Sequence, residues 1–237
     1  MNQAKLYLIP SLIAECEPLE VLPLSIRKII ESTSFYVVEN EKSARHFVKK
    51  AHPAINQGTL HISLLNKFTN SNELMPMLQP CLQGQNVGLI SEAGCPGVAD
   101  PGAELVALAH QQGIQVVPLV GPSAILLALM ASGMNGQNFA FVGYLPIDKG
   151  EKKKRLKDLE RLSQQNGQTQ IFIETPYRNH KLFQELLSVL APATKICVAS
   201  NITGDNEFIL TQTVAKWRNT LPDLGKEPAI FLIDARL

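Results

Sequence analysis

The 237-residue sequence has no GxGxxG fingerprint and no GxxxxGK[ST] loop among its fifteen glycines. These absences argue against an ordinary Rossmann dinucleotide site and against a P-loop. His46, His52, His61, His110 and His180 form no HExxH or other clustered pattern, so no metal site is expected. No GxSxG nucleophile elbow is present, because Gly121-Pro122-Ser123-Ala124-Ile125 lacks its second glycine. The four cysteines (Cys16, Cys81, Cys95 and Cys197) form no CxxC pair and are expected to be free, buried thiols. Lys and Arg total 22 and Asp and Glu 21, a formal net charge of +1, so no whole-protein attraction to nucleic acid or anionic membrane is expected. The longest apolar run, Ala124 to Ala131, is too short to cross a bilayer, and the start MNQAKLYLIPSL does not read as a secretory signal. A soluble, reduced, cytoplasmic protein is the expectation.

What is present is 45% apolar and 18% charged, enough to bury one large or two small cores. Short β-branched runs alternate with amphipathic stretches. Residues 6–9, 35–38, 60–64, 87–90 and 115–117 read as strands, several apolar on both faces, as a helix-covered parallel sheet requires. Leu22, Ile26, Ile29 and Ile30 recur at helical spacing, as do Ala44, Phe47, Val48 and Ala51. A further helix runs from about Gly102 to Gln112. Pro76 and Pro80 would interrupt a helix over 72–82. After Gly121-Pro122, the stretch SAILLALMAS predicts a helix with proline at its first position, apolar on nearly every side and therefore buried between layers. A second series follows: strand 139–142, helix 151–165, strand 170–174, helix 178–190, strand 195–200, strand 208–211, a short helix near Trp217, and strand 229–233. Thr203-Gly204-Asp205-Asn206 reads as a hairpin-like turn. The expectation is an α/β protein of two domains, residues 1–118 with a mostly parallel sheet and 119–237 with a mixed one.

The densest motif is Ser91-Glu92-Ala93-Gly94-Cys95-Pro96-Gly97-Val98-Ala99-Asp100-Pro101-Gly102, running from a strand's carboxyl end to a helix start. Ligands of open α/β sheets bind beyond such strand ends. Its glycines let backbone groups face a ligand directly. Glu92 and Asp100 make the loop poor for phosphate and suited to hydroxyl or amino groups, or to a cation. Asp100 is read as the cap of the following helix, and Glu92–Gly97 as ligand-facing.

SEAGCPGVADPG, then VVPLVGPSAILLALMASGM, FAFVGYLP and IFIETPYR resemble the tetrapyrrole methylase family of S-adenosylmethionine-dependent methyltransferases, most closely its small-subunit rRNA ribose 2′-O-methyltransferase branch. The resemblance covers nearly the whole chain. It implies two α/β domains, a homodimer, and S-adenosyl-L-methionine held in a cleft between the domains without a GxGxxG loop. By position, it implies cofactor contacts from Glu92, Gly94, Cys95, Pro96 and Gly97, and from Ser123 and Ala124, whose N–H groups suit a carboxylate. Glu174-Thr175, Asn201-Ile202 and Pro228-Ala229 would frame the adenine side; the alternative for Glu174 is an acid solvated at a strand end.

The substrate motifs depart from the branch. Its TPIGNL-like loop reads Ile9-Pro10-Ser11-Leu12-Ile13. Its EDTR-like motif reads Glu39-Asn40-Glu41-Lys42-Ser43, and its ELTK-like motif Asn201-Ile202-Thr203-Gly204. Methyl transfer from a sulfonium needs mainly alignment of the acceptor. Glu39 and Glu92 are candidate general bases if the acceptor is a hydroxyl. Arg178 could contact a phosphate, or be an ordinary first-turn residue. Residues 148–161 carry seven basic and four acidic side chains. They read either as an RNA-facing surface or as a solvated helix face with Glu151–Arg155 and Lys157–Arg161 at i,i+4 spacing. Basic and aromatic residues are not seen to interleave as in a stacking surface. The expected partner is rRNA or the small ribosomal subunit, with no membrane and no metal. A methyltransferase of a small molecule such as a tetrapyrrole, or a non-catalytic nucleoside-binding module, are the alternatives.

Overall fold

The computed structural model describes residues 4–236 and divides the chain into two compact units, Met1–Ser123 and Ala124–Leu237. The first unit runs β1 (Lys5–Ile9), α1 (Pro18–Val21), α2 (Leu24–Glu31), β2 (Phe35–Val38), α3 (Glu41–Ala51), β3 (His61–Leu64), α4 (Ser71–Leu82), β4 (Val87–Ile90), α5 (Ala103–Gln111) and β5 (Gln115–Pro118). Its sheet has the order β3-β2-β4-β1-β5, with every pair parallel. β4 is buried at all four positions, which is why Val87–Ile90 is apolar on both faces.

Alternate strand residues feed two separate cores. Ile9, Tyr36, Val38 and Ile90 pack with Ile26, Ile30, Phe47 and Val48 of α2 and α3. Leu6, Val37, Val87 and Leu89 pack with Leu74, Leu78, Leu105 and Ala109 of α4 and α5. The connections from β1 to β2 and from β4 to β5 thus run in opposite directions on opposite faces. That is the topological switch at which open α/β sheets make room for ligands.

The prolines of α4 do not interrupt it: Ser71–Leu82 is one helix containing both Pro76 and Pro80. Leu74, Met77, Leu78 and Cys81 bury one face. The carbonyl of Asn72, left without its helical partner by Pro76, belongs to an exposed residue and is open to water. The sequence puts the domain boundary after Pro118, whereas the first unit extends to Ser123. There the Leu119 N–H bonds the Leu8 carbonyl at 3.0 Å, and Gly121 sits so close to Pro10 that a Cβ would collide with its ring.

The second unit comprises α6 (Ala124–Ser132), β6 (Phe139–Tyr144), α7 (Lys149–Asn166), β7 (Thr169–Glu174), α8 (Asn179–Val189), β8 (Lys195–Ser200), β9 (Phe208–Thr213), α9 (Val214–Trp217) and β10 (Ala229–Asp234). Its sheet is mixed, with order β6-β7-β10-β8-β9: β6 and β7 are parallel and the other pairs antiparallel. β8 and β9 form the expected hairpin. α7, α8 and α9 cover one face around Phe172, Phe183, Trp217 and Phe231. Phe183 meets Trp217 edge to face, and the indole N–H donates to the Ile196 carbonyl at 2.9 Å.

α6 differs from expectation in two ways. It starts at Ala124, two residues past Pro122, so the proline stands before the helix rather than at its first position. Only one side of it is buried, through Ala128, Leu129 and Ser132, whereas Leu126 and Met130 are 51% and 78% exposed. Two thiols also differ: only Cys81 and Cys197 are buried, Cys16 and Cys95 being half-buried. On α7, Lys157 pairs with Glu160 and Arg161 with Asp158, each three residues away. Lys157 and Arg161, being alike in charge, each take an acid. Lys152 is buried against Glu185 of α8 at 3.0 Å. No helix among the described residues is long and apolar enough to cross a membrane.

Candidate functional site

In the first unit the register aligns Ile9 of β1, Ile90 of β4 and Val38 of β2 across the sheet. The segments that follow these strands therefore share the carboxyl edge. The Ser11 N–H donates to the Gly94 carbonyl at 2.9 Å, and the Ser91 hydroxyl donates to the same oxygen at 2.9 Å. Gly94 has φ +74°, and a Cβ there would come within 3.1 Å of Ile13 Cγ2 and 3.2 Å of the Pro122 carbonyl. The Cys95 thiol donates to that carbonyl at 3.4 Å, and burial pushes its pKa up, so it is a packing group rather than a nucleophile. Pro96 is buried, while Gly97 is exposed and a Cβ there would meet nothing. The loop is thus tied down at Gly94–Pro96 and open at Gly97. The Ser11 hydroxyl is buried without a hydrogen-bond partner.

Three acids gather on this edge. The Glu92 N–H makes a long contact, 3.4 Å, with Glu39 Oε1. Ser43, one helical turn past Glu39, donates its hydroxyl to Glu92 Oε1 at 2.5 Å. Burial raises the Glu39 pKa; the Glu92 N–H bond offsets part of that rise, and the Glu92 charge adds to it. Asp100 does not cap α5. Gly102, with φ +134°, stands at the N-cap, leaving Asp100 two residues too early for its carboxylate to reach the helix N–H groups. Burial, with Glu39 and Glu92 nearby, instead raises its pKa to about 6. Asn40 caps α3: its Oδ1 accepts from the N–H groups of Lys42 and Ser43 at 2.9 and 3.3 Å. No group of three or more His, Cys, Asp or Glu among the described residues is placed to hold a metal ion.

The second unit brings together the residues assigned to the adenine side. Ala229 pairs with Glu174 on one flank and with Ser200 on the other, so the ends of β7 and β8 and the start of β10 form one row. The Asn201 N–H donates to the Pro228 carbonyl at 3.0 Å. Asn201 and Thr203 adopt φ +48° and +70° in the turn after β8, and Ile202 is buried. The Glu174 side chain is not solvated but only 3% exposed. Its Oε1 accepts from the Thr175 N–H at 2.8 Å and from Arg178 Nε and Nη2 at 2.9 and 2.7 Å. Arg178 ends a short 3-10 turn, Pro176–Arg178, and its guanidinium is already engaged. Ser123 and Ala124 fall at the division between the units, Ala124 opening α6 and offering its first-turn N–H groups.

Sequence reasoning missed Ser43 and the grouping of Asp100 with Glu39 and Glu92. The former sits in the first turn of α3 and reaches Glu92 across the sheet edge, a contact no sequence spacing signals. The latter needed the pairing of β2 with β4.

This arrangement, a parallel unit with its loops at a switch point followed by a mixed unit, is the tetrapyrrole-methylase type of α/β fold. Solved structures share it: the methyltransferase CobJ (TM-score 0.63, 16% identity, 98% of this chain and 94% of that one) and uroporphyrin-III-C-methyltransferase from Thermus thermophilus (TM-score 0.56, 16% identity, 98% and 94%). The chain belongs to the family Tetrapyrrole (Corrin/Porphyrin) Methylases, whose family model matches residues 24–217. Among curated relatives, "Ribosomal RNA small subunit methyltransferase I" of Vibrio cholerae is 30% identical over 211 residues, 89% of this chain and 69% of that protein. The Bacillus subtilis protein of that name is 32% identical over 211 residues (89% and 64%), and that of Mesorhizobium japonicum 40% over 146 (61% and 48%). The matched stretches thus span from about half to about two thirds of these relatives' own lengths.

Proposed function

We propose that this protein is an S-adenosyl-L-methionine-dependent methyltransferase of the cytoplasm that methylates a ribose 2′-hydroxyl of small-subunit rRNA and works as a homodimer. The observation that carries the reading is the Glu92–Gly97 loop at the switch point of the parallel sheet, anchored at Gly94 and open at Gly97. The residues there suit the cofactor. Mutually repelling carboxylates at Glu39, Glu92 and Asp100 gain from a sulfonium or ammonium cation. The orphaned Ser11 hydroxyl and the first-turn N–H groups of α6 suit its polar groups.

When bound, the cofactor would supply an activated methyl group. Gly94, Cys95, Pro96 and Gly97 would hold its amino-acid and ribose parts together with Glu92, and Ser123 and Ala124 would meet its carboxylate. Glu174-Thr175, Asn201-Ile202 and Pro228-Ala229 would frame the adenine. Of the candidate bases, Glu39 has the stronger case: its raised pKa favours taking a proton, whereas Glu92 Oε1 is already bound to Ser43. Arg178, engaged by Glu174, is less suited to a direct chemical role. The names of the curated relatives support the rRNA acceptor. The structural neighbours named for uroporphyrin chemistry share the fold at 16% identity and add no argument for a tetrapyrrole. The exposed Leu126 and Met130, one turn apart on α6, offer an apolar surface for a second copy.

Tritiated methyl from S-adenosyl-L-methionine should enter the RNA of small ribosomal subunits from cells lacking this gene. After alkaline hydrolysis the label should be recovered in resistant dinucleotides, because a 2′-O-methyl group blocks cleavage at the adjacent phosphodiester. Label confined to a small-molecule extract would overturn the rRNA reading, and no transfer to any acceptor would overturn the enzyme.

A further inference from the structure

Beyond the carboxyl ends of β6 and β7, next to the residues given to the adenine, lies an exposed surface with a different character. β6 and β7 run in register from Phe139 opposite Thr169 to Phe141 opposite Ile171, and then Tyr144, not Gly143, faces Ile173. Three residues of β6 therefore span two of β7, a β-bulge. Gly143 has φ +68°, which a side chain would make costly. The extra residue reverses the facing of the side chains beyond it. Tyr144 is turned outward, 61% exposed, while Leu145 enters the core. Tyr177, in the 3-10 turn after β7, is 77% exposed. The Arg178 guanidinium lies over the Tyr177 ring, 5.3 Å from its centroid. Glu174 holds that guanidinium in place, and both phenols lie within its electrostatic reach.

The outcome is two exposed aromatic rings around one oriented cation whose charge is locally neutralised. Sequence reading found no basic-aromatic interleaving, because Tyr144 and Arg178 lie far apart along the chain and only strand pairing unites them. Such a surface favours flat π-systems over bare phosphate: base–aromatic stacking tolerates any base, and Arg adds to it. Proteins that act on RNA typically splay out an unpaired nucleotide and stack it on aromatic or guanidinium planes. The openness of the rings fits a base of a long strand better than a cofactor adenine, which a ligand pocket would enclose.

We propose that Tyr144, Tyr177 and Arg178 form a stacking platform for an unpaired nucleobase of the RNA substrate. This rests on the rRNA reading above and deepens it. The basic first turns of α7, which begin five residues after Tyr144, would add phosphate contacts along the same strand.

The test uses the full chain and a single-stranded RNA oligonucleotide containing 2-aminopurine, whose fluorescence is quenched on stacking. Tyr177→Ala and Tyr144→Ala should each weaken binding about five- to hundredfold and reduce the quench, leaving the slope of affinity against salt unchanged. Tyr177→Phe should retain both, which guards against a mere folding defect. Lys153→Ala with Lys154→Ala should instead flatten the salt slope. Calorimetric binding of S-adenosyl-L-methionine should be unaffected by Tyr177→Ala. Unchanged RNA affinity and quench in both alanine variants would overturn the platform. So would a loss confined to S-adenosyl-L-methionine binding, which would give the rings to the cofactor. If wild type labels ribosomal RNA and the double alanine variant does so with unaltered KM, the platform alone fails. If wild type labels no RNA, the functional reading fails and the platform with it.

Discussion

The two sheets end in edges of opposite electrostatic character. In the first unit, Glu39, Glu92 and Asp100 share one edge, and two of them are held above the ordinary carboxylate range by burial and by one another. In the second, the buried Glu174 is neutralised by Arg178 and the exposed surface is aromatic. The first edge carries unrelieved repulsion that a cationic ligand would relieve; the second is satisfied and presents flat surfaces. Where a protein gathers like charges at the carboxyl edge of a sheet, a ligand site is a better explanation than stability.

The comparison breaks most visibly at Gly94. Gly94→Val places a branched side chain against Ile13 and the Pro122 carbonyl at positive φ, and binding of S-adenosyl-L-methionine should fall by a hundredfold or more in calorimetry. Binding equal to wild type would remove the loop from the site. Next in size, Arg178→Ala strips the partner from a buried carboxylate. It should lower the denaturant midpoint of unfolding, with Arg178→Lys recovering only part, since a lysine cannot reproduce the two-pronged contact.

Asp100→Asn sharpens the contrast through pH. An aspartate with a raised folded pKa keeps its proton in the native state while the unfolded chain has already lost it. Stability therefore falls as pH rises from the ordinary value near 4 through about 6. The asparagine variant escapes that loss and should be more stable than wild type by about 1–2 kcal/mol at pH 8 and equal to it below pH 4, as thermal melts across pH would register. The smallest effect belongs to the cap of α3: Asn40→Ala should cost about 1 kcal/mol, and Asn40→Asp close to nothing, since either native-type side chain accepts the Lys42 and Ser43 N–H bonds.

Much of the fold was legible because local chemistry and global burial agree. Val87–Ile90 is apolar throughout because both faces are covered, and Phe35–Val38 and Lys195–Ser200 end where their apolar runs end. Legibility failed where a local rule met a distant partner. Pro76 and Pro80 read as helix breakers, but the buried stripe of Leu74, Leu78 and Cys81 holds α4 together while the exposed side tolerates the lost bond. The apolar stretch of α6 suggested burial all round, yet within its own unit only the side carrying Ala128, Leu129 and Ser132 is covered. Asp100 looked like a cap because Asp-Pro-Gly precedes a helix. Its grouping with Glu39 depends on β2 lying beside β4, which no spacing reveals. The Tyr144–Arg178 surface was hidden for the same reason, with a glycine-made bulge turning the tyrosine outward.

The central claim is that the acidic edge of the parallel sheet receives a cationic methyl donor. Calorimetric titration of the wild-type chain with S-adenosyl-L-methionine between pH 5 and pH 7 tests it most directly. Affinity should strengthen as pH rises through about 6, where Asp100 gives up its proton, and that pH dependence should shrink in Asp100→Asn. No binding at any pH, or affinity that weakens over that interval, would contradict the account.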